Sequence, residues 1–163
     1  MPKPLEISTP SDREVVVTRS FDAPRTLVFD CHTKPELVRR WLVGPPGWSM
    51  PTCEIDLRVG GRYCYVLSGP NGEQMGLCGV YREITRPEFI AASERFDEDW
   101  TGGETETSTR FTEADGRTTT TLTVVYANKE AREGALATGM TDGMEMSYRQ
   151  LDELLVAEKG GAG

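Results

Sequence analysis

The groups in this chain that could move a proton near neutral pH are one histidine, His32, and a few carboxylates. His32 falls near the end of a short helical stretch, where the helix dipole favours its charged form, so a capping or surface role is expected. No motif supplies a Ser-His-Asp arrangement. One His and four scattered cysteines, Cys31, Cys53, Cys64 and Cys78, show no metal-ligand spacing, and Glu54 and Asp56 sit at the strand spacing of a solvated face. Hence no catalytic residue, metal or cofactor is assigned. Were a proton to be transferred, Glu94, Asp56 and His32 would be the candidates.

A binding chemistry is better represented. Trp41 and Trp48 flank a Pro/Gly loop, Tyr63, Tyr65, Met75, Phe96 and Phe111 lie in strand-like runs, and Trp100 sits in an acidic loop. Met140, Met144 and Tyr148 recur at helical spacing, and Met adapts to irregular ligands. With Thr107, Thr109 and Leu122 these residues form the expected ligand-binding set. Gly44 to Trp48 and Glu98 to Gly103 would be natural lids.

The elements that must position this set can be read along the chain. Met1 to Asp12 holds three prolines and no apolar period, so it reads as a flexible lead-in. Arg13 to Phe21 is a β-branched strand; Asp22-Ala23-Pro24 then caps and opens a helix to about Thr33, and Pro35 opens a second short one through Trp41. Beyond Gly44-Pro45-Pro46-Gly47 the period becomes two, predicting strands over 50–57, 61–68, 74–84, 88–96, 105–112 and 118–126. Pro70-Asn71-Gly72, Arg86-Pro87 and Asp115-Gly116 supply the turns of an antiparallel meander.

Centring the last turn on Asp115-Gly116 sets Phe111 opposite Thr120, Thr109 opposite Leu122, Thr107 opposite Val124 and Thr105 opposite Tyr126, all on the inward face. So many inward threonines suggest volume and hydroxyl partners rather than a plain core. Lys129 to Lys159 reads as one helix, with Leu136, Met140, Met144, Tyr148, Leu151 and Leu155 on the apolar side and Glu145, Arg149, Asp152 and Glu153 outside. Gly134, Gly139 and Gly143 weaken it by up to ~1 kcal/mol each, which asks for close packing or empty space beside the helix. Residues 159–163 read as a flexible tail.

Bulk properties narrow the partners. The 163 residues suit one domain, residues 13–158, which would bury roughly 70% of its unfolded surface. With 18 Lys and Arg against 26 Asp and Glu, the net charge is -8 and the pI near 4.8, which disfavours nucleic acid and anionic membrane surfaces. There is no long apolar run and no secretion-type leader, so a cytoplasmic location without membrane insertion is expected. The cysteines read as four reduced thiols acting as small apolar fillers; Cys64 and Cys78 flank a hairpin and could face each other, but a bond is not expected.

Strand, two short helices, six strands and a long helix match an α+β helix-grip architecture, a curled antiparallel sheet of seven strands around a C-terminal helix. The stretches "RSFDAPRTLVFDCHTKPELVRRW", "DLRVGGRY", "GVYREI" and "GMTDGMEMSYRQLDELL" resemble the domain named after the C-terminal part of the heat-shock protein 90 ATPase activator. That family lies within the START-like, SRPBCC, birch-pollen-allergen-like superfamily, and the resemblance spans roughly Arg13 to Val156. It implies that Gly60-Gly61 makes the sharp reversal that starts the curled sheet. Met144 and Tyr148 occupy a helix turn where many relatives carry Trp, so the filling under the helix should differ.

What the resemblance implies for function is a cavity between sheet and helix that binds one hydrophobic or amphipathic small molecule. The alternatives are a cyclase- or hydrolase-type enzyme using that cavity, and a stress-response module interacting with chaperones or their clients. The chaperone activator owns a separate N-terminal domain for much of its docking, and the lead-in here is too short to be one. The chain is expected to be a monomer or, through a shared edge strand, a homodimer.

Overall fold

The computed structural model describes residues 5–43, 46–96 and 103–161. Period-two alternation in Glu14–Phe21 (β2) turns Val15, Val17, Arg19 and Phe21 to one buried face. The lead-in is not wholly irregular, because Glu6–Ser8 (β1) pairs antiparallel with β2 and adds an eighth strand to the expected seven. Two helices follow, Arg25–Thr33 (α1) and the single turn Pro35–Val38 (α2). Asp22 does not cap α1; its carboxylate pairs with Arg117 at 2.7 Å, and Pro24 takes the N-cap position.

The meander runs through Ser49–Ile55 (β3), Arg62–Ser68 (β4), Gln74–Thr85 (β5), Phe89–Phe96 (β6), Thr105–Ala114 (β7) and Arg117–Val125 (β8). The sheet is open and antiparallel, in the order β1-β2-β8-β7-β6-β5-β4-β3. Asp115 and Gly116 both take positive φ, as a two-residue hairpin turn demands, and the register sets Thr107 against Val124, Thr109 against Leu122 and Phe111 against Thr120. A register shift between Tyr81 and Glu83 interrupts the regular pairing of β5 with β6. At the same point of β5, on its β4 side, the Gly60 (φ +84°) amide donates to the Tyr81 carbonyl and the Tyr81 amide donates to the Gly61 carbonyl, while a Cβ on Gly61 would collide with the Asp56 carbonyl oxygen. The missing Cβ of Gly61 thus permits the tight reversal read from "DLRVGG", and the Tyr81 hydrogen bonds dock that turn against β5.

The C-terminal helix is divided. Lys129–Ala137 (α3), capped by the Asn128 side chain, stops at Thr138 and Gly139 (φ +81°); Met140–Gly161 (α4) follows and includes the first residues of the expected tail. Glycine in the left-handed region is the ordinary end of a helix, and the apolar spacing of residues 129–159 does not register that reversal. Two apolar clusters lie beneath the sheet. One joins β2, β7, β8, α1 and α4 through Phe21, Phe29, Phe111, Tyr148, Leu151 and Leu155; the other joins α2 to β3–β6 through Val38, Met50, Tyr63, Tyr65, Leu67 and Tyr81.

Cys64 and Cys78 form a disulfide, in place of the expected free thiols. They are direct partners in the β4–β5 register, with Cα atoms 4.2 Å apart, so pairing rather than spacing along the chain brings them together. Cys31 and Cys53 are free; burial pushes the Cys31 thiol up to about 12.

Candidate functional site

Between the concave sheet and the first turns of α4 lies a cavity of about 650 Å³. Inward positions of each central strand form its wall: Tyr63, Tyr65 and Leu67 of β4; Met75, Leu77 and Tyr81 of β5; Ile90, Ala92, Glu94 and Phe96 of β6; Thr105, Thr107 and Thr109 of β7; Leu122 and Val124 of β8. Gly139, Met140, Gly143, Met144, Ser147 and Tyr148 form its roof, and Trp41, Trp48 and His32 close one side. An added Cβ on Gly143 would meet nothing within 4 Å, so this glycine borders empty space.

Of the expected binding set, twelve residues lie on this wall: Trp41, Trp48, Tyr63, Tyr65, Met75, Phe96, Thr107, Thr109, Leu122, Met140, Met144 and Tyr148. Phe111 does not. It is buried against Phe29 and His32, at 5.3 and 5.1 Å between ring centres, because α1 covers that end of β7. Trp100 and most of the loop from Glu98 to Gly103 lie outside the described residues, as do Gly44 and Pro45 of the other expected lid. The inward threonines are less polar than expected. Thr105 and Thr107 donate their hydroxyls to the carbonyls of Glu94 and Ala92 across the β6–β7 pair, which satisfies the donors within the wall.

The candidates for proton transfer part company. Asp56 is exposed and pairs with Arg58 at 2.8 Å, outside the cavity. His32 is not a charged cap: its ring lies between those of Trp41 and Phe111, tilted to the first and edge-on to the second, and its Nδ1 donates to the Val28 carbonyl at 2.8 Å. Burial pulls it down to about 4, outweighing that hydrogen bond, so the ring is neutral at ordinary pH. Glu94 faces the cavity, and Tyr63 reaches it from two strands away. Tyr63, Gly79 and Glu94 form one row across β4, β5 and β6. A Cβ on Gly79 would collide with the Tyr63 ring, so its absence lets the ring lie across β5 and the hydroxyl donate to Glu94 Oε2 at 3.0 Å. Burial pushes the Glu94 carboxyl up and the Tyr63 hydrogen bond only partly opposes it. A glycine inside an apolar strand run was the available signal for this crossing.

Comparison with known proteins places this fold. A model of the family described as Activator of Hsp90 ATPase homolog 1-like protein matches residues 22–156. The chain belongs to that family. A crystal structure from Rhodobacter sphaeroides is similar at 33% identity over 95% of this chain and 99% of its own, with a TM-score of 0.90. One from Mycobacterium smegmatis is similar at 25% identity over 95% and 97%, with a TM-score of 0.82. No functionally curated protein matches the chain. The fold common to this activator-homologue family and the START-like superfamily is the helix grip found here.

In this member of the activator-homologue family, α4 is fastened over the sheet by a buried guanidinium. Arg19, 3% exposed, donates to Glu145 at 3.1 Å and to both oxygens of Asp152 at 3.0 and 2.9 Å, while lying 5.0 Å from the centre of the Phe21 ring. Glu145 and Asp152, expected on the solvent side of the helix, are thus turned to β2. The Glu145 carboxyl is desolvated, but hydrogen bonds from Arg19 and the Leu5 amide hold it below its usual range. Arg19 was hidden within a β-branched run whose alternation nevertheless placed it inward.

No described helix is long and apolar enough to cross a membrane. Among the described residues no cluster of three or more His, Cys, Asp or Glu could hold a metal ion.

Proposed function

We propose that this protein binds one apolar or amphipathic small molecule in the cavity between the sheet and α4. The observation that carries the reading is a space of about 650 Å³ walled by aromatic, aliphatic and methionine side chains. Ligand sites fall at roughly 300–1,000 Å³ with a mostly apolar lining and a few placed polar groups. A void of that size would be costly in a merely structural core. Gly139, just before α4, and Gly143, in its first turn, support the reading, since they remove side chains where this end of the helix faces that space.

A neutral apolar dye, N-phenyl-1-naphthylamine, tests it by fluorescence titration. Wild-type protein should bind the dye, and Gly143→Trp, which projects an indole into the cavity, should abolish binding while circular dichroism stays native. Unchanged dye affinity in Gly143→Trp would place binding elsewhere. Native mass spectrometry of freshly purified protein should show an added mass that disappears on denaturation.

A further inference from the structure

The cavity wall carries one carboxylate, Glu94, and no Lys or Arg among the described residues. Three other poorly exposed carboxylates have a guanidinium: Glu145 and Asp152 have Arg19, and Asp30 has Arg86 at 3.1 Å. Among the described residues Glu94 has instead a phenol, the Tyr63 hydroxyl, which is shared with the Ser93 carbonyl at 3.1 Å. A carboxylate has about four acceptor sites, so one shared O–H leaves most of its capacity unused. The surrounding groups are aromatic. Tyr65 and Tyr126 lie close enough for the Glu94 charge to act on their hydroxyls, and the Tyr63 ring is 5.2 Å from those of both Tyr65 and Tyr81.

An unpaired carboxylate facing an apolar space is costly, and the cost is removed when a ligand brings the missing positive charge. Aromatic rings beside the carboxylate suit the same charge, because their faces attract cations. We propose that the cavity takes an apolar molecule bearing one basic amine, whose ammonium group pairs with Glu94 among the tyrosine rings. This rests on reading the cavity as a ligand site. The amine donates hydrogen bonds to the carboxylate, and the apolar body lies along the Met- and Leu-lined remainder. Bound ammonium also offsets the burial that otherwise pushes the Glu94 carboxyl up.

Three probes with one apolar body separate the claims: 2-(2-naphthyl)ethylamine, 2-(2-naphthyl)ethanol and 2-naphthylacetate, titrated calorimetrically near neutral pH. The amine should bind about tenfold more tightly than the alcohol, with the anion weakest. Glu94→Gln should bring the amine to the level of the alcohol and leave the alcohol within about twofold, with native circular dichroism. Tyr63→Phe, which keeps the carboxylate, should retain the preference for the amine and guards against a folding defect in Glu94→Gln. If the alcohol binds as tightly as the amine, or the preference survives in Glu94→Gln, the amine inference is overturned while the cavity reading stands. If none of the three binds, both are overturned.

Discussion

Where β2 and β8 meet the later turns of α4, Phe21, Leu151 and Leu155 fill the interior together with Phe29 and Phe111, and Tyr148 stands at the border with the cavity. Where β4, β5 and β6 face the first turns of the same helix, the side chains leave a cavity of about 650 Å³. Both regions are walled by inward residues of one sheet and covered by one helix. The difference lies in side-chain volume along the helix: Leu151, Leu154 and Leu155 on the later turns of α4, and Gly139 and Gly143 on or before the earlier ones. Placement of small residues along a single helix thus leaves one end of the interior solid and the other hollow.

The most direct way to break this contrast is to truncate one side chain in each half. Leu151 is fully buried, and Leu151→Ala should cost about 3 kcal/mol in guanidinium unfolding, because the removed atoms leave a new void. Met144→Ala beside the existing space should cost less than ~1.5 kcal/mol, since little new cavity is made. Equal losses would show that the two halves do not differ in packing.

Next in size is the clamp that holds α4 over both regions. Arg19→Ala should destabilise the protein by about 3 kcal/mol, leaving Asp152 without its guanidinium and Glu145 with only the exposed Arg149. It should also weaken dye binding, because the roof of the hollow half rides on the same helix. A loss of stability with unchanged dye affinity would uncouple the halves.

Acidification sharpens the boundary between them, where His32 packs between Trp41 and Phe111. The unfolded chain protonates this ring near 6.5, whereas the folded chain resists down to about 4. The His32 contribution is therefore present above pH 6.5 and lost as pH falls from 6.5 towards 4, on the order of 3 kcal/mol. His32→Asn, which can still donate to Val28, should flatten that part of the stability profile. Equal slopes in both proteins would mean that His32 is not held neutral.

The smallest expected change has opposite signs in stability and binding. Gly143→Ala should stabilise the protein by about 0.5–1 kcal/mol through helix propensity, because the added methyl meets open space, and should lower the affinity for a large apolar dye. Destabilisation would indicate that the space is filled.

Much of this was legible in the sequence because it depends on local rules. Period-two alternation predicted six successive strands, and the Asp115-Gly116 turn fixed which residues of β7 and β8 oppose each other, since a two-residue turn leaves one register. Met140, Met144 and Tyr148 shared a helix face by spacing alone, and most of the candidate wall followed. The lead-in strand was not legible, because three residues next to prolines carry too little pattern and gain their order from pairing with β2.

What only the tertiary structure decided concerns partners distant along the chain. Whether Cys64 met Cys78, whether Arg19 found Glu145 and Asp152, and whether His32 lay in water or between aromatic rings are matters of strand pairing and layer packing. Burial and charge pairing arise across the fold, between residues whose spacing along the chain holds no record of their approach. The sequence determined which faces are apolar, by the periods of helix and strand; the assembled layers decided where those faces touch and where, around Glu94, they do not.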